Sequence, residues 1–218
     1  MRDKNPKIDF RDFLGVYSEG NFFSVEKRGA HNPAYLKTSL AGINAGITLA
    51  THTFNGMRGL SHQEPGILGA VLDDNRVSCE LIADGIHLDP VILSLVYKLK
   101  GPDRIILISD SMASSGLPDG HYNFDRRVEI VRDNAIWLED GRLAGSILSL
   151  DKSILNMVRL GGLSLCHAVR AASLNPARVL GLDRQKGSIA PGKDADLVLF
   201  DEDINVKKVF INDSFVVT

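Results

Sequence analysis

The sequence lacks a long apolar run. No stretch approaches the roughly 20 consecutive apolar residues that a membrane-spanning helix needs. The N-terminus, MRDKNPKIDFRDF, is charged and lacks the apolar segment of a signal peptide. We therefore expect a cytoplasmic protein that has no membrane partner.

The sequence also contains few cysteines and no large excess of either charge. Cys79 lies in a strand-like run and Cys166 in a helix-like one, which argues against a disulfide framework and fits a reducing compartment. The 25 basic and 27 acidic residues are mixed along the chain and give a net charge of −2. This balance predicts neither a nucleic-acid partner nor an anionic membrane surface, so a small molecule is the expected partner.

Four short apolar runs are present, and a polar residue of catalytic type follows each of them. With 44% hydrophobic residues in 218, the chain can form one ordinary core and a small second unit. The loops after the strands of a parallel α/β barrel gather on one face, so such side chains would meet there and indicate an enzyme. The runs are residues 13–17 before Glu19, 47–50 before His52, 78–82 before Asp84 and His87, and 104–108 before Asp110.

The order of elements predicts an α/β fold. Helices are expected over GILGAVLDD after Pro65 and over residues 90–100, so strands and helices alternate as in a parallel sheet or barrel. An antiparallel hairpin is predicted within 121–145, followed by helices over 151–160 and 165–173, the second continuing through Asn175 and Pro176. We expect a barrel domain over 1–182 and a small β-unit over 183–218.

Glu19 and His52 form a candidate metal site. A glutamate and an imidazole from neighbouring barrel strands can bind a divalent metal such as zinc, which leaves a position for water. The alternative is that His52 is a capping or core histidine and Glu19 a solvated loop carboxylate.

Three further positions could carry chemistry. Asp110 follows four apolar residues, where a partly desolvated carboxylate can act as a general base, although an aspartate there can also cap a segment. His87 follows a glycine turn after Asp84 and could bind substrate oxygens or phosphate, or be structural. Asn55-Gly56 could present backbone N–H groups to an anion, or be an ordinary turn.

Seven motifs then identify a resemblance. They are THTFNGM, HQEPG, ELIADGIH, LISDSM, LAGS, AASLNPARVLGL and KGSIAPGKDADLVLFD. In this order they resemble the N-acetylglucosamine-6-phosphate deacetylases of the amidohydrolase superfamily, from about Gly42 to the C-terminus. EGNFFSVEKRGAHNPAYL is similar to the metal-glutamate loop of that family and extends the match to about Phe13.

The resemblance implies a partial (β/α)8 barrel of TIM type with a small C-terminal β-sandwich portion. It also implies a metal-dependent hydrolysis that releases acetate and glucosamine 6-phosphate. Glu19 and His52 would bind the metal, with zinc expected first and iron, cobalt or manganese as alternatives. His31 would polarise the acetamide carbonyl and Asp110 would be the acid/base. A homodimer is implied. The substrate-binding residues would be Ala30, Asn55, Gly56, Gln63, His87, Leu143, Ala144 and Gly145.

The chain departs from the family pattern in several places. The HLEGPF motif reads YSEGNF here, no GHS motif supplies the second metal-ligand histidine, and Gln63 stands where an arginine often precedes EPG. The first half of the β-sandwich and the first barrel strands have no counterpart. Three hypotheses follow: a deacetylase, a truncated copy or partner subunit that no longer catalyses, and a different amidase of the same superfamily.

Overall fold

A parallel sheet forms the centre of the computed structural model, which describes residues 39–44, 46–124, 127–211 and 214–216. Its strand order is β1-β2-β3, and helices alternate with the strands along the chain. This is the α/β arrangement that the sequence predicts. The elements are α1 (Ser39–Asn44), β1 (Leu49–Ala50), α2 (Gly66–Asp73), β2 (Ser78–Ile82), α3 (Pro90–Lys100) and β3 (Ile105–Ile108).

The central strand β2 is packed on both faces. Cys79, Leu81 and Ile82 are fully buried, and only Glu80 in this strand is half-buried. Parallel strands that are covered on both faces have nearly continuous apolar sequences, which is why this strand could be predicted with its bounds. Glu80 is paired with Ile106 of β3.

Helix α3 begins and ends at strong local signals. The Asp89 carboxylate accepts a hydrogen bond from the Val91 N–H at 2.8 Å, and Pro90 occupies the first helical position. Gly101 follows the helix with a φ of 64°, a conformation that glycine adopts without strain. Near its end, the Lys100 Nζ donates to carbonyls at the end of α2, those of Val71 at 2.8 Å and Asp74 at 2.7 Å. These bonds tie α3 to α2.

A second, antiparallel sheet follows β3. The predicted antiparallel hairpin is confirmed, and it is part of a larger sheet of four strands in the order β4-β5-β6-β7. Asp133 and Asn134 have φ values of 52° and 60°, as the two central residues of a hairpin turn require. A bridge between Ser111 and Ser146 joins this sheet to the chain beyond β3. The strands are β4 (Gly120–Phe124), β5 (Arg127–Arg132), β6 (Ala135–Trp137) and β7 (Leu143–Ser146).

Three helices follow: α4 (Leu150–Arg159), α5 (Leu165–Ala172) and α6 (Leu174–Val179). The prediction that the helix from residue 165 continues through Asn175 and Pro176 is wrong. The chain breaks at Ser173, which has φ −134° and ψ −69°. Pro176 has no N–H to donate within a continuing helix, so a new helix begins with the proline in its first turn.

The third sheet is antiparallel and lies in the predicted C-terminal unit. Its strands are β8 (Leu197–Phe200), β9 (Val206–Ile211) and β10 (Ser214–Val216), in the order β10-β9-β8. The described strands thus form a partial α/β barrel, not a closed one, with a small C-terminal β-sheet portion. The domain boundary near residue 182 stays a prediction. Within the described residues, no helix has the length and apolar character to cross a bilayer.

Candidate active site

A cavity of about 630 Å³ lies at the carboxyl ends of the parallel strands. His52 follows β1 and Asp110 follows β3, and the structure brings both to this cavity as predicted. The two residues lie on either side of β2, because β2 is the middle strand of the sheet. The lining residues are Thr51, His52, Glu80, Leu107, Ile108, Ser109, Asp110 and Leu150.

His52 is oriented by the turn that follows it. Its Nδ1 lies 3.1 Å from the carbonyl oxygen of Asn55. A carbonyl oxygen can only accept, so Nδ1 is the donor of this hydrogen bond. A histidine that donates from Nδ1 to a second partner can bind a metal through Nε2 when that nitrogen is deprotonated.

The turn after β1 is strained. His52 has a φ of 27° and Phe54 a φ of 79°, in the left-handed region that a bulky residue rarely occupies. Backbone bonds close the turn, with the Asn55 N–H donating to the His52 carbonyl at 2.8 Å and the Met57 N–H to the Phe54 carbonyl at 3.3 Å. Strain of this kind collects at functional sites.

Asn55 and Gly56 lie at the tip of this turn. In the described structure, the Asn55 Nδ2 is buried and has no hydrogen-bond partner. A buried amide donor without a partner is costly, and a bound anion or carbonyl would satisfy it. Gly56 has a φ of 68°, which suits the turn. Their predicted contact with substrate stays a prediction that this orphaned donor supports.

Glu80 is a cavity residue that sequence reasoning missed. It lies inside β2, not after its end, so the search for polar residues beyond strand ends passes over it. The available signal was a charge within a strand that is otherwise buried. Glu80 thus lines the same cavity as His52 and Asp110.

Asp110 differs from expectation in its exposure. We expected partial desolvation, but Asp110 is exposed, because it lies beyond the end of β3 at the rim of the cavity. Its φ of 49° is again left-handed. Its carbonyl oxygen accepts a hydrogen bond from the Ser146 N–H at 3.0 Å, so the end of β7 lies directly against it.

The LAGS motif is therefore beside Asp110, although its residues do not line the described cavity. Leu143 and Ala144 are half-buried and Gly145 is buried. A Cβ on Gly145 would lie 2.8 Å from the Asp110 carbonyl oxygen and 2.4 Å from the Met112 Cγ. Glycine is thus required for β7 to approach Asp110 this closely.

Asp84 and His87 form a buried pair after β2. The His87 Nδ1 lies 2.6 Å from the Asp84 Oδ2, and the two side chains are 5% and 6% exposed. Burial raises the pKa of the Asp84 carboxyl, but hydrogen bonds from His87 and Ile86 outweigh it, so the net pKa lies below its ordinary value. His87 is not among the residues lining the described cavity, and its role toward substrate stays a prediction.

The remaining predicted residues divide into two groups. Gln63 is exposed in the loop before Pro65. Glu19, Ala30 and His31 lie outside the described residues.

Among the residues that are described, no three His, Cys, Asp or Glu side chains are placed to hold a metal ion together. The Nδ1 hydrogen bond of His52 nevertheless fits a metal ligand that binds through Nε2, and a site would need a partner such as the predicted Glu19.

Comparison with known proteins gives consistent matches. The amidohydrolase family model matches residues 26–218. The chain is 43% identical over 160 residues to the putative N-acetylgalactosamine-6-phosphate deacetylase of Escherichia coli K12, which covers 73% of this chain and 95% of that protein. It is 41% identical over 181 residues to the N-acetylgalactosamine-6-phosphate deacetylase of Escherichia coli O157:H7, covering 83% of this chain and 48% of that protein.

A solved structure shows the same fold. The N-acetylglucosamine-6-phosphate deacetylase of Thermotoga maritima superposes with a TM-score of 0.82 at 32% identity, over 93% of this chain and 69% of that one. The chain spans about half the length of several curated relatives that it matches, between 41% and 48% of three of them.

Proposed function

Since the chain belongs to the amidohydrolase family, we propose that it hydrolyses the acetamide of N-acetyl-D-glucosamine 6-phosphate to D-glucosamine 6-phosphate and acetate. The observation that carries this proposal is the shared cavity of His52 and Asp110 at the ends of β1 and β3. An imidazole whose Nδ1 is held by a carbonyl oxygen and a carboxylate at the same cavity are groups that metal-assisted amide hydrolysis uses.

The family is generally metal-dependent. In this chain, His52 and Glu19 would hold a divalent ion, zinc first among the candidates. When bound, such an ion supplies Lewis acidity and lowers the pKa of water. Side chains perform the other steps. Asp110 accepts a proton from the attacking water, and His31 polarises the acetamide oxygen.

The proposed reaction is balanced without an oxidant or a reductant. The water oxygen forms a bond to the acetamide carbon, and the C–N bond breaks. Asp110 returns its proton to the departing amine nitrogen, so the products are acetate and an amino sugar. Its position at the rim of the cavity keeps it accessible to both water and the leaving amine.

The phosphate would be held away from the reacting carbon. Asn55 offers its orphaned Nδ2 and Gly56 a backbone N–H in a tight turn. His87 would add a further contact from the turn after β2. Leu143, Ala144 and Gly145 would line the pocket around the acetyl group, beside Asp110. The expected assembly is a homodimer in the cytoplasm.

A second candidate substrate is N-acetyl-D-galactosamine 6-phosphate. It differs from the first substrate only in the configuration of one ring hydroxyl. Relatives at 43% and 41% identity are named as deacetylases of this sugar phosphate. The reaction and the residue roles would be unchanged.

The test measures acetate release from both sugar phosphates by the purified chain, after chelation and after adding back zinc or manganese. We expect turnover that the metal restores and that Asp110→Asn abolishes, while Asp119→Asn, an exposed carboxylate on the next loop, retains it. Faster turnover of the galactose epimer would replace the first substrate by the second. No turnover from folded protein would overturn the proposal in favour of a non-catalytic copy or another amidase.

A further inference from the structure

The backbone of Asp110 requires an explanation. A φ of 49° lies in the left-handed region, which an aspartate tolerates better than most residues but still at a cost, so contacts that hold it there act as a constraint. Asp110 is exposed, so its own side-chain packing does not supply this constraint. The constraint must come from contacts to the backbone on either side.

Ser146 makes those contacts. It is fully buried, with 0% exposure, at the end of β7. Its N–H donates to the Asp110 carbonyl at 3.0 Å, and its hydroxyl donates to the carbonyl of Ser109. One residue therefore holds two successive peptide carbonyls at the end of β3, and it does so from a different sheet.

Ser146 is itself held in place. Its Oγ accepts a hydrogen bond from the Leu148 N–H at 3.0 Å, and its carbonyl accepts one from the Ser115 Oγ at 2.7 Å. Every polar group of Ser146 thus has a partner, so neither its backbone nor its hydroxyl can turn without breaking a buried bond. The preceding Gly145 permits this approach, since any Cβ there would meet the Asp110 carbonyl oxygen.

We propose that Ser146 is a positioning residue for Asp110, which fixes the strained backbone so that the carboxylate faces the cavity. The inference rests on the proposed function only for the role of Asp110 as acid/base. The Ser146 hydroxyl does not touch the reacting atoms; it acts through the Ser109 carbonyl.

The effect should fall on the chemical step. Ser146→Ala removes the hydrogen bond to the half-buried Ser109 carbonyl and the one from the buried Leu148 N–H, so the strained turn can relax. A displacement of about 1 Å can reduce turnover roughly 100-fold, and we expect a loss in kcat of about 10-fold to 100-fold with KM nearly unchanged.

Two variants accompany Ser146→Ala. Ser146→Cys keeps nearly the same size but has a weak donor, so it should show the same loss even if the alanine variant folds poorly. Ser153→Ala is the matched control, because Ser153 is equally buried while its Oγ has no hydrogen bond in the described structure. It should retain wild-type kcat.

Two measurements decide the proposal. The first is kcat against pH, whose acidic limb should shift in the Ser146 variants and not in Ser153→Ala. The second needs no activity: the carboxyl of Asp110 is titrated by NMR in 13C-aspartate-labelled protein, assigned with Asp110→Asn. A changed titration supports the proposal even if wild type fails to deacetylate either sugar phosphate. Folded Ser146 variants with kcat within about 2-fold of wild type and an unchanged Asp110 titration would overturn it.

Discussion

The Asp84 carboxylate holds His87 in a single orientation. His87 Nδ1 donates to Oδ2 across 2.6 Å, and Oδ1 accepts the backbone N–H groups of Ile86 and His87, both at 2.8 Å. Three hydrogen bonds on one carboxylate close the turn that follows β2. A second contact supports this turn from α4, where the Asn156 Nδ2 donates to the Ala83 carbonyl at 2.8 Å.

Asp84→Asn should destabilise the protein in a pH-dependent way. The folded pKa of Asp84 lies below its ordinary value of 3.8, so its ionised form contributes stability above that pH and the contribution is lost as pH falls through the folded pKa. We expect a cost of about 1 to 3 kcal/mol at neutral pH. Urea unfolding of both proteins at about pH 7, 5 and 3 measures the difference, which should shrink with acidity.

The exposed Asp119→Asn serves as its control and should change stability by less than about 0.5 kcal/mol at each pH. A cost for Asp84→Asn that is the same at all three pH values would show that the hydrogen bonds do not depend on the charge.

Local sequence signals predicted the parallel strands and the longest of the helices. Strand β2 and helix α3 agree with their predicted bounds, because β2 is a continuous apolar run and α3 has a cap, a first-turn proline and a terminal glycine. Helix α1 was missed, since six residues carry little periodicity. The break at Ser173 was missed because the apolar pattern continues across it.

The site was predictable only where a residue follows its own strand. His52 and Asp110 could be found in this way, because the ends of parallel strands meet. Ser146 could not, since its partner Ser109 lies 37 residues earlier and follows a strand of a different sheet. Glu80 was missed because its accessibility depends on which face of β2 borders the cavity. Such relationships arise from tertiary packing and leave no local pattern.

The two cysteines should differ sharply in reactivity. Burial raises the pKa of the Cys79 thiol to about 11, and the nearby Lys100 ammonium offsets this effect only partly. Cys166 is exposed. At about pH 8, a thiol-specific chromogenic disulfide should label one thiol per chain quickly and the second only after denaturation. Folded Cys166→Ser should show no fast labelling; rapid reaction of both thiols in wild type would contradict the burial of Cys79.

Asn175 should contribute strongly to stability. It is 2% exposed, and its Nδ2 donates to the carbonyls of Pro102 and Ile105, both at 2.8 Å, at the start of β3. Asn175→Ala leaves both carbonyls without this donor, and we expect a loss of about 2 to 3 kcal/mol in urea unfolding. Asn175→Asp, which removes the donor and adds an acceptor, should cost at least as much. The exposed Asn123→Ala is the control, and equal effects at the two sites would refute the assignment.

Gly145→Ala should impair stability and turnover together. Its Cβ would lie 2.8 Å from the Asp110 carbonyl oxygen, a backbone atom that cannot withdraw without moving Asp110. Overpacking of this kind costs about 1 to 3 kcal/mol, and the displaced Asp110 should lower kcat for acetate release. Gly59→Ala is the matched control, because its Cβ meets no atom within 4 Å and its φ suits alanine. If Gly145→Ala unfolds at the same urea concentration as wild type and keeps its kcat, then β7 does not pack against Asp110 as described.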